Sequence, residues 1–224
     1  MLHRFAVCFA ILLAVLGTSS ARALTVFSDD FSDEASFAAN WTIGGTPSSS
    51  SWARTSEASN SPSFSVTDSP GANYANSSNT TLTSRSIDLT GLTGTQLSFA
   101  HRIATELDRD FGRVDASANG SAFTVVGSFS GSSGGAFLPA LLDLSAFDGS
   151  ATFYLRFRLQ SNAAVVFDGW HIDDVVISGI PEPETFALMM AGLGLLAFMA
   201  RRRSRSQELA LNQRLGAGLA SSYK

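Results

Sequence analysis

Cysteine is almost missing from this sequence. Its 224 residues include one, Cys8, inside the first apolar segment. Whatever folds beyond that segment has no disulfide and no thiol nucleophile, so its stability must come from a packed core or a bound ion. Histidine is scarce too: after the first twenty-three residues only His101 and His171 remain. No H-E-x-x-H spacing exists, which excludes a zinc peptidase of that type. Lysine occurs once, as Lys224, and Leu24–Gly179 contains only three glutamates, Glu34, Glu57 and Glu106. The same stretch shows no amphipathic helical pattern of useful length. Basic charge is also lacking there. Sixteen Asp/Glu face seven Arg and no Lys, a formal −9 in a chain whose total is −4. Such a domain repels phosphate backbones, which excludes nucleic acid as a partner. Clustered acidic oxygens suit calcium better, although solubility alone accounts for most of these charges.

What is present at the N-terminus has a known physical layout. Met1–Ala23 begins with His3 and Arg4, continues through an apolar run from Phe5 to Leu16, and ends in Ala21-Arg22-Ala23. This is a secretory signal helix with an A-x-A cleavage site at Ala21 and Ala23, leaving Leu24 as the first mature residue. No lipobox-like triplet places Cys8 beside that site, so lipoprotein processing is not expected.

The segment 24–179 is rich in Ser, Gly, Thr, Asn and Phe, with turn formers about every ten residues, as in an all-β sandwich or barrel. Phe153, Leu155, Phe157 and Leu159 alternate with Tyr154, Arg156 and Arg158, the period of a half-buried strand. Leu97, Phe99, His101 and Ile103 repeat the pattern with one polar exception. Phe123–Phe129 and Trp170–Ile177 are two further strands, and Asn119-Gly120 forms a tight turn before the former. Local disorder is expected only in the Ser-rich stretch Thr46–Ser51. In order, the segments "VFSDDFSDEASFAANWTIGG", "SWAR", "LSFAHR", "DFGRVDASANGSAFTVV", "LLDLSAFDGSATFYLRFRL" and "FDGWHIDDVVISG" resemble the jelly-roll β-sandwich domains similar to MAM and to those attached to immune-inhibitor-A-type metallopeptidases. Gly169–Val175 is the most specific piece, with His171 where an aromatic is usual. The resemblance implies a jelly-roll β-sandwich with an accessory or adhesive role.

It also allows a structural calcium held by Asp30 and Asp174, since the first and last strands of a jelly roll commonly run close together. Asp68 and Asn73, in "TDSPGANY", can add oxygens toward the six to eight that calcium requires. The bland alternative is that these carboxylates pair with Arg or cap turns. In "ATELDRDFG", Glu106, Asp108 and Asp110 point the same way if the segment is extended, giving a second metal site, the acid/base pair of a glycosidase, or a solvated loop. The E-x-D-x-x-E strand expected of jelly-roll glucanases is absent. "GSFSG" at Gly127–Gly131 has Phe129 at the position a nucleophile elbow needs for Ser. Trp41, Trp52 and Trp170 can form a sugar-stacking platform or fill the core.

The C-terminal segment 180–203 holds Pro181-Glu182-Pro183, an apolar run from Phe186 to Ala200, and Arg201, Arg202 and Arg203. As a helix that run covers only about 22 Å, short of the ~30 Å hydrocarbon core. The arginines supply a cytoplasmic stop, and an apolar tail ending in such a block is unlike a GPI signal. Together these features look like the PEP-CTERM sorting signal of bacterial exosortase substrates. The resemblance implies that a membrane transpeptidase, the exosortase, cuts near Pro181–Pro183 and releases the protein from the inner membrane to the cell surface or extracellular matrix. Residues 204–224 form a tail with no usable pattern, expected to be disordered. The sequence thus reads as an exported, non-enzymatic matrix or surface protein, adhesive or exopolysaccharide-associated. Two alternatives stay open, a secreted glycan-active enzyme using Glu106 and Asp108, and an uncleaved membrane-tethered structural protein.

Overall fold

A computed structural model describes residues 22–47, 51–182, 192–199 and 201. The expected signal through Ala21, residues 48–50 of the Ser-rich stretch, Pro183, Phe186, Ala200, Arg202, Arg203 and the tail 204–224 lie outside the described residues. The chain divides into two units, one ending at Glu182 and one beginning at Pro183.

The first unit is a jelly-roll β-sandwich of two antiparallel sheets. One sheet contains β1 (Leu24–Asp29), β3 (Ala53–Thr55), β4 (Ser65–Thr67), β6 (Leu92–Ala104), β9 (Leu138–Asp143) and β11 (Gly169–Pro181). Its order is β3-β4-β11-β6-β9, with β1 also paired to β11. The other sheet runs β2 (Trp41–Thr46), β5 (Asn79–Ser84), β10 (Tyr154–Gln160), β7 (Phe111–Ser117) and β8 (Thr124–Phe129).

The two alternating stretches singled out in the sequence form facing halves of the core. Phe153, Leu155, Phe157 and Leu159 are fully buried, and Leu97, Phe99, His101 and Ile103 are all buried on β6. Phe99, Phe157 and Trp170 meet edge to face between the sheets, with ring centroids 5.3–6.4 Å apart. Trp41, Trp52 and Trp170 belong to this core rather than to an exposed platform. Backbone closeness requires glycine at 112, because a Cβ there would lie 2.6 Å from the Trp170 ring.

One short helix departs from the sequence expectation. Helix α1 (Glu34–Asn40) has only seven residues, too few to register as a periodic pattern. Its start is set locally: the Asp33 side chain accepts from the Ser36 N–H at 2.7 Å.

The second unit contains a helical segment at 192–199, whose Leu193, Leu195, Leu196, Phe198 and Met199 are all exposed. Among the described residues, no helix is long and apolar enough to cross a membrane.

Candidate functional site

The central strand β11 organises most of the polar chemistry. Along Val175–Gly179 it pairs with β1, and at His171 and Ile172 with β4. Between these stretches its register to β6 slips from Asp173 to Val176. Asp174 there adopts φ 50°, a left-handed conformation that Asp tolerates better than most residues. The resulting bulge is where the strand exchanges one neighbour for the other.

Asp173 pins a loop at this bulge. Its Oδ2 accepts from the backbone N–H groups of Asn60 and Ser61 at 2.7 and 3.0 Å, and its Oδ1 from that of Asp174. Burial nevertheless raises its carboxyl above the usual range. Asp174 Oδ2 accepts from Asn60 Nδ2 at 2.6 Å.

Because Asp29 lies opposite Val175, the two Asp doublets do converge. Asp29, Asp30, Asp33 and Asp174 line one polar cleft of about 350 Å³ with Ser32 and Asn40. Asp29, itself buried, accepts from the Phe31 N–H, Asn40 Nδ2 and Trp41 Nε1. Asp30 accepts from both the hydroxyl and the N–H of Ser32, which hold its carboxyl below the usual range.

Asp68 sits elsewhere. Its Oδ1 accepts from the Trp170 N–H, four residues back along β11, roughly 13 Å away at strand spacing. Asn73 lies exposed in the following loop. Asp30 and Asp174 therefore share a site, whereas Asp68 and Asn73 do not join them. Two carboxylates occupied by N–H and O–H donors fall short of a calcium shell, so the four residues do not fit one ion. Among the described residues no group of three or more His, Cys, Asp and Glu is arranged to hold a metal.

The acidic stretch 106–110 is a turn rather than an extended segment, so its three carboxylates do not line up. Asp108 is exposed with φ 58°. Asp110 is fully buried and accepts from the Tyr74 hydroxyl and the Asn162 N–H, both at 2.7 Å, while Glu106 accepts from Asn162 Nδ2. Sequence reading missed this role. Only the pairing of a buried Tyr with an Asp in a distant loop reveals it. A second grouping, Ser65, His171 and Asp168, has the composition of a hydrolase triad. Ser65 is buried and donates to the Ala58 carbonyl at 2.6 Å, and its hydroxyl lies 3.5 Å from His171 Nδ1. Asp168 lies 3.5 Å from His171 Nε2 and makes its shorter contact with Arg102. This is a packed ion pair under a neutral imidazole, not an accessible nucleophile.

At the opposite end of β11 the strand runs into the Pro-Glu-Pro segment. Ile180 pairs with Thr93 and Pro181 with Leu92, and the Glu182 N–H donates to the Gly91 carbonyl at 2.8 Å. The described part of this segment thus belongs to the sheet.

An antiparallel two-sheet β-sandwich without disulfides, whose last strand runs into a Pro-Glu-Pro segment, is the class that the fold defines. Residues 179–203 match the PEP-CTERM protein-sorting motif, which implies an exported, exosortase-processed protein. Among solved structures the chain is similar to the K2 cleaved adhesin domain of Lys-gingipain (19% identity, 70% of this chain and 99% of that one, TM-score 0.47). It is also similar to the K3 cleaved adhesin domain of Lys-gingipain from Porphyromonas gingivalis (16%, 69% and 98%, TM-score 0.46). A third is the CBM22-1 xylan-binding domain from Paenibacillus barcinonensis (9%, 73% and 99%, TM-score 0.48). No curated protein matches the chain.

Proposed function

We propose that the protein is a non-enzymatic, MAM-like β-sandwich that an exosortase delivers to the cell surface or extracellular matrix, where it adheres to exopolysaccharide. The observation that carries this reading is the sorting motif at 179–203, continuous with the last strand of the domain. The exposed apolar side chains of helix 192–199 support a membrane-embedded precursor, because water disfavours such a surface. The non-enzymatic part is supported by Glu106 and Asp110, whose carboxylates hold loops together instead of facing a common substrate position. Structural calcium belongs to the proposal only at the cleft lined by Asp30 and Asp174, where Asp29, Asp33 and Ser32 would have to supply the further oxygens, and a calcium-dependent rise in melting temperature is its test.

The experiment for sorting replaces Pro181, Glu182 and Pro183 with alanine and follows surface delivery together with the mass of the mature C-terminus. Loss of C-terminal trimming and retention in the membrane fraction are expected. Identical trimming and location in the triple variant would sink the sorting reading. A wild-type chain that keeps its C-terminus intact at the surface would favour a permanent tether.

A further inference from the structure

The outward face of the five-stranded sheet carries an unexpected charge. Across all five strands the ionised side chains are Arg113, Asp115, Arg156 and Arg158, three cations and one anion. This surplus of positive charge stands on a domain whose formal charge is −9.

Asp115 is fully buried among these residues and already spoken for. Arg158 grips it with Nε and Nη2 at 2.8 and 3.1 Å, and Arg156 with Nε at 2.9 Å. Arg113 is directly opposite Arg158 in the ladder, a like-charge pair that a sheet tolerates only at a cost. Yet among the described residues Arg113 makes no hydrogen bond or ion pair, and its Nε is shielded from solvent without a partner. Its guanidinium is held over the Phe111 ring at 4.8 Å, while that of Arg156 lies over Phe123 at 3.7 Å. Stacking fixes the plane of each cation before any ligand arrives. Hydroxyls border the cations on the same face: Thr81 and Thr83 on β5, and exposed Ser128 opposite Arg113 on β8.

We propose that this face binds a carboxylate-bearing polysaccharide, a polyuronate chain, with one carboxylate forked onto Arg113 beside Arg158. A planar, preset guanidinium without an internal anion matches a carboxylate in two parallel hydrogen bonds. Neighbouring threonine and serine hydroxyls suit the hydroxyls of a sugar chain lying across the strands. The acidity of the remaining domain confines an anionic polymer to this one face. The inference takes from the matrix reading only where such a polymer is met, and the binding itself is independent of sorting.

The test uses the full chain in mild detergent, with affinity electrophoresis in polygalacturonate, its methyl ester and single-stranded DNA. Polygalacturonate should retard the protein, esterification should abolish the effect, and salt should weaken it. Arg113→Gln should weaken binding at least tenfold, with Arg113→Lys in between because charge persists without the fork. Ser128→Asp supplies a competing carboxylate from the neighbouring strand and should weaken binding comparably while raising the melting temperature. It serves even if Arg113→Gln misfolds. Unchanged binding in both Arg113→Gln and Ser128→Asp would refute the proposal, as would equal retardation by the methyl ester or by DNA. Failure here with normal C-terminal processing overturns only the ligand. Normal binding with unprocessed protein overturns only the sorting.

Discussion

Replacing Asp68 with asparagine should make the domain more stable at neutral and alkaline pH while leaving it nearly unchanged near pH 4. Asp68 is fully buried, wedged where β4 ends and β11 begins. Gly169, at φ 94°, leaves no room for a Cβ there, since Asp68 Oδ1 would be 2.6 Å from it. Burial pushes the carboxyl up from 3.8 to about 7, and the Trp170 N–H that it accepts only partly offsets this. The folded state therefore holds its proton over a pH range in which the unfolded chain has released it. Stability is full below the unfolded pKa and falls as pH rises toward 7. The gap between 3.8 and about 7, at ~1.36 kcal/mol per pH unit, amounts to roughly 4 kcal/mol. For a domain of this size that corresponds to a melting shift of roughly 8–16 °C. Asparagine keeps an oxygen for the Trp170 N–H and carries no charge at any pH. Wild type and Asp68→Asn should therefore diverge progressively between pH 4 and 7 in thermal melts or denaturant titrations, and run parallel above. A difference that is constant across the whole range would refute the reasoning, because it would mean that Asp68 titrates alike in both states.

Two further perturbations act on the same core. His101 accepts from Trp170 Nε1 at 3.2 Å through Nδ1, and burial pushes its imidazole down to about 4. Its contribution to stability is present above pH 6.5 and lost as pH falls toward 4, and His101→Gln should flatten that acid limb in melts. Gly112→Ala drives a methyl into the Trp170 ring from 2.6 Å and should cost about 1–3 kcal/mol in the denaturant midpoint, with altered Trp fluorescence.

The strands with regular alternation were legible because period two directly reports a half-buried sheet. Phe153–Leu159 and Leu97–Ile103 needed no tertiary information. In sequence, Trp170–Ile177 reads as one plain strand; that buried Trp170 and Ile172 give way to buried Val175 and Ile177, marking a partner exchange, emerges only from the pairing. Three-residue strands such as β3 and β4 are shorter than any useful periodicity window. The acidic stretch 106–110 misled through its spacing: alternate carboxylates share a face only if the backbone is extended, and Asp108 turns it instead. The convergence of Asp30 with Asp174 followed from the first and last strands being neighbours, whereas nothing local separates Asp68 from that pair. Arg113 lies on β7, which sequence reading does not single out as a strand, and its lack of a counter-ion among the described residues depends on how Asp115 divides itself between Arg156 and Arg158.

The position of β11 also has a mechanical meaning. Its C-terminal end leads into the sorting segment, and the same strand is gripped by β6 on one flank and by β1 and β4 on the other. A pull transmitted along the chain from that end loads the hydrogen bonds of both flanks in shear, many at once, instead of unzipping them singly from an edge. The strand that continues into the sorting segment is thus the one the sandwich would surrender last under tension.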